Sequence, residues 1–219
     1  MIQISPSILA ADFSCLSHEV KRTAEAGADS IHIDVMDGHF VPSITIGAMV
    51  TASLRDKVDI PFDVHLQVTA PERQIAAFAE AGAGICTFQA ETASNMYQII
   101  ENIKKLGMKA GVALAPGTSL AFIEEVLPTV DRVLLLSVNP GYGGQKFLPF
   151  VLAKIRMLRS LLTAQSLATE IEVDGGIDFV TARQAIQAGA TILAVGTTVY
   201  KAPDMKEAIQ KLKRAQDLQ

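Results

Sequence analysis

The stretch Gln187-Ala188-Gly189-Ala190-Thr191-Ile192-Leu193-Ala194-Val195-Gly196 holds the end of a helix and the whole of a strand. Its glycine suits the left-handed position that closes a helix. The apolar run that follows is too continuous for a half-exposed strand and reads as a parallel strand buried on both faces. Leu134-Leu135-Leu136 has the same character, and Glu25-Ala26-Gly27-Ala28 and Glu80-Ala81-Gly82-Ala83 repeat the terminator, with Gly107 in a similar place. Outward from here, short apolar runs recur at about 2–8, 30–36, 62–68, 85–91, 109–115, 132–138, 169–174 and 191–196. Helical periodicity fills the gaps: Ile75, Phe78 and Ala79 share one face, as do Ile99, Ile103 and Leu106. Strand then helix, about eight times without a linker, predicts an α/β fold, a single (β/α)₈ TIM barrel domain over 1–219. The rival is a doubly wound open sheet. The strand count and the lack of a G-x-G-x-x-G turn after the first strand favour the barrel.

Hydrophobic residues make up 49% and charged residues 19% of the 219, enough to bury a large core and too apolar for a disordered chain. Nineteen Lys and Arg against 23 Asp and Glu give a net charge of −4, which lacks the basic footprint of a nucleic-acid binder. An anionic ligand must then be held by local devices such as backbone N–H groups. Cys15 and Cys86 form no metal-binding spacing and read as reduced thiols. Met1-Ile2-Gln3-Ile4-Ser5-Pro6 shows no basic leader, and no apolar run reaches the roughly 18 residues of a membrane span. These features lead to the expectation of a soluble cytoplasmic protein with no membrane partner.

In a barrel, functional groups sit at the C-terminal ends of the strands. In Ile31-His32-Ile33-Asp34-Val35-Met36 the apolar set has one parity, which turns His32, Asp34 and Met36 inward. His65 points inward by the same rule, and Asp174 stands at the end of the seventh strand, before Gly175-Gly176. Four polar groups inside an apolar barrel are costly unless paired or ligated. Two imidazoles and two carboxylates form a set suited to Zn²⁺, Fe²⁺ or Mn²⁺. His18, in a polar helical stretch, and His39, in a loop, read as solvated. Glu91 reads either as a partner of that set or as a solvated loop carboxylate.

Glycines cluster after three neighbouring strands: Asn139-Pro140-Gly141-Tyr142-Gly143-Gly144-Gln145, Asp174-Gly175-Gly176 and Gly196-Thr197-Thr198. Glycine lets backbone N–H groups approach a phosphate, and the loops after strands 7 and 8 are the usual phosphate site of this barrel. Any one cluster could be a tight turn. Three at the same end favour a phosphorylated substrate.

Several of these segments resemble the ribulose-phosphate 3-epimerase family: Ser5 to Phe13, His32 to Pro42, Asp63-Val64-His65-Leu66, Ser137 to Gln145 and Val173 to Ile177. The resemblance runs through essentially the whole chain in order. It implies a ribulose-phosphate-binding barrel in which His32, Asp34, His65 and Asp174 hold one divalent metal ion per subunit (Zn²⁺, Fe²⁺, Mn²⁺ or Co²⁺). It makes Asp34 and Asp174 the two proton carriers. Ser7, Met36 and His65 would contact the substrate, and Gly141, Tyr142, Gly143, Gly144, Gly175, Gly176, Gly196 and Thr197 would line its phosphate and sugar path. The implied reaction converts D-ribulose 5-phosphate to D-xylulose 5-phosphate in a homo-oligomer. The C3 proton of a 2-ketose is acidified by the carbonyl, and a cation acting as Lewis acid stabilises the enediolate that its removal leaves. Inversion needs one proton carrier per face, in opposite protonation states.

The chain departs from the family pattern at Gln67 and Leu136, where Met is usual, at Gln89, where His is usual, and at Val195-Gly196-Thr197, where Ala-Gly-Ser is usual. These departures put the substrate in question. One alternative is a six-carbon ketose 6-phosphate such as allulose 6-phosphate. Another is a catalytically silent phosphate-binding barrel, which has no need of four costly inward polar groups. A third is a decarboxylase or isomerase barrel, which would lack that convergence of two histidines and two aspartates.

Overall fold

In the computed structural model, which describes residues 2–217, eight strands form one parallel sheet. They are β1 (Gln3–Pro6), β2 (Ile31–Met36), β3 (Phe62–Gln67), β4 (Ala83–Gln89), β5 (Lys109–Leu114), β6 (Arg132–Leu136), β7 (Glu170–Asp174) and β8 (Ile192–Val195). Met1 lies outside the described residues. The strand order is β1-β8-β7-β6-β5-β4-β3-β2, so consecutive strands neighbour one another and the described residues hold no switch point of a doubly wound sheet. The seam between β1 and β2 closes through a parallel bridge from Ser7 to His32. Asp29 stitches its lower end, accepting from the Ile4 N–H through its carboxylate at 2.8 Å and donating its own N–H to the Ile4 carbonyl at 2.9 Å.

Helices α1 (Leu16–Glu25), α2 (Ala48–Leu54), α3 (Ile75–Glu80) and α4 (Met96–Lys105) follow β1 to β4. Helices α5 (Val151–Ala164) and α6 (Phe179–Ala188) follow β6 and β7, and α7 (Thr197–Tyr200) and α8 (Met205–Lys213) follow β8. The β5–β6 crossover holds 3₁₀ turns at Leu120–Phe122 and Glu124–Thr129 instead of an α-helix. Pro128 lies inside the second turn and supplies no N–H for an α-helical ladder. Gly27, Gly82, Gly107 and Gly189 all have positive φ, as the terminator reading requires.

The main core lies between sheet and helices. Ile31, Ile33, Val64, Leu66, Leu135, Ile171 and Val173 of the strands belong to it together with Phe78, Ile99 and Ile103 of the helices. Two expectations change. Leu106 is 47% exposed, because α4 ends at Lys105 and its cap residue leaves the Ile99–Ile103 stripe. The barrel interior is also far less apolar than expected. Ala113, Leu134 and Leu136 form a small apolar cluster, but Asp63, Gln67, Gln89, Arg132 and Glu172 are buried as well.

Candidate active site

The pleat of β2 turns His32 and Asp34 into the barrel, β3 adds His65, and β7 delivers Asp174. One donor atom from each of the four lies within 4.8 Å of all the others. His32 Nε2 is 3.4 Å from Asp34 Oδ1 and 4.0 Å from Asp174 Oδ2, and His65 Nδ1 is 3.4 Å from Asp34 Oδ1. Ligands about 2.1 Å from one tetrahedral ion stand roughly 3.4 Å apart, so the spacing fits a shared cation. His32 Nε2 is buried without a hydrogen bond, although two carboxylates face it. That orphaned nitrogen and the mixed imidazole–carboxylate set fit a divalent transition ion.

Two side chains fix the Asp34 carboxylate. Ser7 Oγ donates to Oδ2 at 2.6 Å, and Gln67 Nε2 donates to Oδ1 at 2.9 Å. Thr45 Oγ1 donates to the Asp34 carbonyl at 2.6 Å and accepts from the Met36 N–H at 3.0 Å, tying down the loop after β2.

Electrostatics separates the two carboxyl groups. Burial and the neighbouring charge of Asp34 push Asp174 up to about 8. Burial acts the same way on Asp34, but the charges and hydrogen bonds of His32 and His65 outweigh it and hold that group well below the usual carboxylate range. Burial opposes a charge on His32, yet Asp34, Asp63 and Glu172 hold its pKa well above the ordinary histidine value. In the metal-free protein near neutral pH, therefore, Asp174 is protonated and Asp34 ionised.

Above this set opens a cavity of about 970 Å³. Ser7, Asp34, Met36, Gln67, Leu136 and Asp174 lie at its base, while Gly141, Tyr142, Gly143, Gly144, Gly175, Gly176, Gly196 and Thr197 form part of its wall. His32 and His65 lie below the base and do not line it. The wall is fixed by close backbone approach. Gly176 has φ +65°, and a Cβ there would collide with the Phe147 N–H and the Gln145 carbonyl. Ser137 Oγ donates to the Asp174 and Gly175 carbonyls at 2.9 and 2.5 Å, locking the end of β7.

Other candidates fall outside. His18 and His39 are exposed, as expected. Glu91 lies in the 3₁₀ turn after β4, where it accepts from the Ala115 N–H at 2.8 Å and from Thr118 Oγ1 at 2.5 Å; it anchors the loop after β5. Gln89 is fully buried and does not reach the cavity, and neither of its amide atoms has a partner. The charged layer beneath the histidines was missed. Arg132, on β6, reaches Asp63 and Glu172 inside the barrel. Parity carried a signal for the two acids, since Asp63 alternates with His65 and Glu172 with Asp174. Arg132 opens its strand and gives no such signal.

Fold and site together define a parallel (β/α)₈ barrel with a histidine–aspartate set, able to hold a divalent cation, at the base of a glycine-walled cavity. Residues 3–200 match the profile of the ribulose-phosphate 3-epimerase family, and the chain belongs to that family. It is 47% identical over 214 residues to the ribulose-phosphate 3-epimerase of Bacillus subtilis, covering 97% of this chain and 99% of that one. It is also 47% identical to the chloroplastic ribulose-5-phosphate-3-epimerase of Arabidopsis thaliana, over 97% of this chain and 76% of that one. The fold is similar to that of orotidine 5'-phosphate decarboxylase from Pyrococcus horikoshii, with a TM-score of 0.67 at 15% identity over 99% of this chain and 100% of that one. Among the described residues, no helix is long and apolar enough to cross a membrane.

Proposed function

We propose that this chain inverts carbon 3 of a ketose phosphate, converting D-ribulose 5-phosphate to D-xylulose 5-phosphate. The observation that carries this reading is the pairing of Asp34 and Asp174, two carboxyl groups at the base of one cavity with pKa values pushed apart. Asp34 removes the C3 proton on one face, and Asp174 returns one on the other. In the reverse direction the roles exchange. Ser7 and Gln67 keep the Asp34 carboxylate from rotating away from its task.

His32, Asp34, His65 and Asp174 would hold the divalent cation, which is Zn²⁺, Fe²⁺, Mn²⁺ or Co²⁺. Such an ion supplies Lewis-acid stabilisation of the charge that develops on the substrate oxygens. Met36 and Leu136 keep water from that charge. The backbone of Gly175, Gly176, Gly196 and Thr197, with the Gly141–Gly144 loop, receives the phosphate in a chain whose net charge gives no long-range attraction for anions. The family resemblance implies a homo-oligomer. The protein acts in the cytoplasm as one barrel domain.

A second reading has one specific support. The Gln67 Oε1 atom, buried at the cavity base, has no partner and could accept from an additional hydroxyl, as in a six-carbon ketose 6-phosphate. The test is an epimerase assay over a panel of ketose phosphates after reloading with divalent metal. Turnover of D-ribulose 5-phosphate is expected. Turnover of none of the panel by metal-loaded protein would overturn the proposal and favour a silent barrel.

A further inference from the structure

Beneath the histidines lies a layer of charge that never reaches the cavity. Arg132, on β6, donates through Nη1 to Asp63 Oδ2 and to Glu172 Oε2, the latter at 2.9 Å, and through Nη2 to Glu170 Oε2 at 3.1 Å. Ser5 Oγ adds a contact of 3.5 Å to Asp63 Oδ2, and Ser30 Oγ donates to Ser5 Oγ at 2.6 Å. Asp63 and Glu172 are completely buried. One guanidinium does not exhaust two buried carboxylates and a third at the rim. Of the two oxygens left without a hydrogen-bond partner, Asp63 Oδ1 and Glu172 Oε1, the one set against the histidine is Glu172 Oε1. It lies 3.3 Å from His32 Nδ1, which is also buried without a partner; the next carboxylate, Asp63 Oδ2, is 3.6 Å away.

We propose that Glu172, itself held by Arg132, is a positioning residue that fixes the His32 ring with Nδ1 protonated and Nε2 free to ligate. The inference rests on the metal-centre reading above and extends it to residues that touch neither metal nor substrate. The reasoning turns on which atoms can accept. A neutral imidazole carries one N–H and one lone pair, and only the nitrogen with the lone pair can ligate. A carboxylate at Nδ1 puts the proton there and leaves Nε2, which faces Asp34 and Asp174, as the donor atom. Such outer partners set ring orientation and ligand basicity, and losing one typically weakens metal binding about 10–100-fold.

Glutamate is required because both of its oxygens face donors. A glutamine has one acceptor. Arginine cannot stop donating, so in Glu172→Gln the amide oxygen turns to Arg132 and the NH₂ group faces His32. Nδ1 must then accept, and the proton moves to Nε2, the wrong nitrogen for a metal.

The experiment is competition of Zn²⁺ between a chelator and the wild type, Glu172→Gln and Glu170→Gln. Glu170 also pairs with Arg132, and with Gln3 Nε2 at 3.3 Å, but does not face His32. Glu172→Gln should weaken Zn²⁺ binding by about 10–100-fold, and Glu170→Gln should leave it unchanged. A wild-type affinity in folded Glu172→Gln, or equal losses in both variants, would overturn the assignment in favour of a merely structural layer. Should Glu172→Gln fail to fold, ¹⁵N NMR of the histidine rings in Zn²⁺-loaded wild type decides instead, with His32 assigned by its loss in His32→Gln. Nδ1 protonated is the expected result; Nε2 protonated overturns the assignment. A wild type that takes up no Zn²⁺ would instead overturn the metal-centre reading beneath it.

Discussion

The Gln67 amide donates to Asp34 Oδ1 at 2.9 Å, while its own oxygen is buried beside the cavity without a partner. One end of this side chain holds the Asp34 carboxylate, and the other is buried with no donor to it within the protein, in a residue that lines the cavity. A buried polar atom left unpaired costs about 1–3 kcal/mol, so a hydroxyl placed there gains more than an ordinary contact. Replacing Gln67 with Met removes both effects. If the oxygen reads a substrate hydroxyl, Gln67→Met should lower kcat/KM for allulose 6-phosphate more than for ribulose 5-phosphate, by tenfold or more. A large preference for ribulose 5-phosphate that Gln67→Met leaves unchanged would show that the residue only supports Asp34.

The two aspartates make a sharper prediction. Asp34→Asn and Asp174→Asn each remove the proton carrier for one face, so both should lose epimerisation by at least about 10³-fold, near the upper part of the range for a general acid or base. The barrel should remain folded by circular dichroism, because its core lies between sheet and helices and not at these groups. Product formed by the wild type in D₂O should carry deuterium at C3. Near-normal turnover in either variant would exclude the two-carrier mechanism.

Metal loading should be coupled to protons. Asp174 is pushed up to about 8 and His32 is held well above the ordinary histidine range, so both are protonated at pH 7 in the metal-free protein. A ligand must give up its proton before it can bind a cation. Raised pKa values therefore mean weak binding at low pH, and apparent affinity should climb as pH rises toward about 8. Calorimetry at pH 7 in buffers of different ionisation enthalpy should register about one to two protons released per Zn²⁺. Binding without proton release would contradict the raised pKa of Asp174.

How much of this was legible in the chain varies by element. Strand positions followed from apolar runs bounded by Gly terminators, because a strand buried on both faces leaves a continuous signal. The missing α-helix between β5 and β6 was less visible, since Pro128 sits amid residues that otherwise support a helical reading. His32, Asp34, His65 and Asp174 were found because parity marks inward positions. The same parity applied to Asp63 and Glu172, but the expectation of an apolar interior hid their meaning. Their partner is on β6, about seventy residues from Asp63, and strand periodicity contains no pairing across the barrel. The split role of Gln67 depends on two interatomic distances and was beyond sequence reasoning.

The wall of the cavity gives a last prediction, at Gly176. Its φ of +65° disfavours any residue with a Cβ, and an added Cβ would meet the backbone of Gln145 and Phe147, which cannot move as a flexible side chain would. Gly176→Ala must therefore strain the turn after β7 or push the 139–147 loop outward, at a cost of roughly 1–3 kcal/mol for a residue in a sparsely populated backbone region. Asp174, two residues earlier, is locked separately by its strand and by Ser137, whose N–H donates to the Asp174 carbonyl at 2.7 Å. The proton carrier should keep its place while the glycine wall shifts. KM for the sugar phosphate should rise at least tenfold, with kcat affected less, and inorganic phosphate should become a correspondingly poorer competitive inhibitor. A variant with unchanged KM and unchanged phosphate inhibition would remove Gly176 from the phosphate site, whereas a fall in kcat alone would place its importance in holding Asp174.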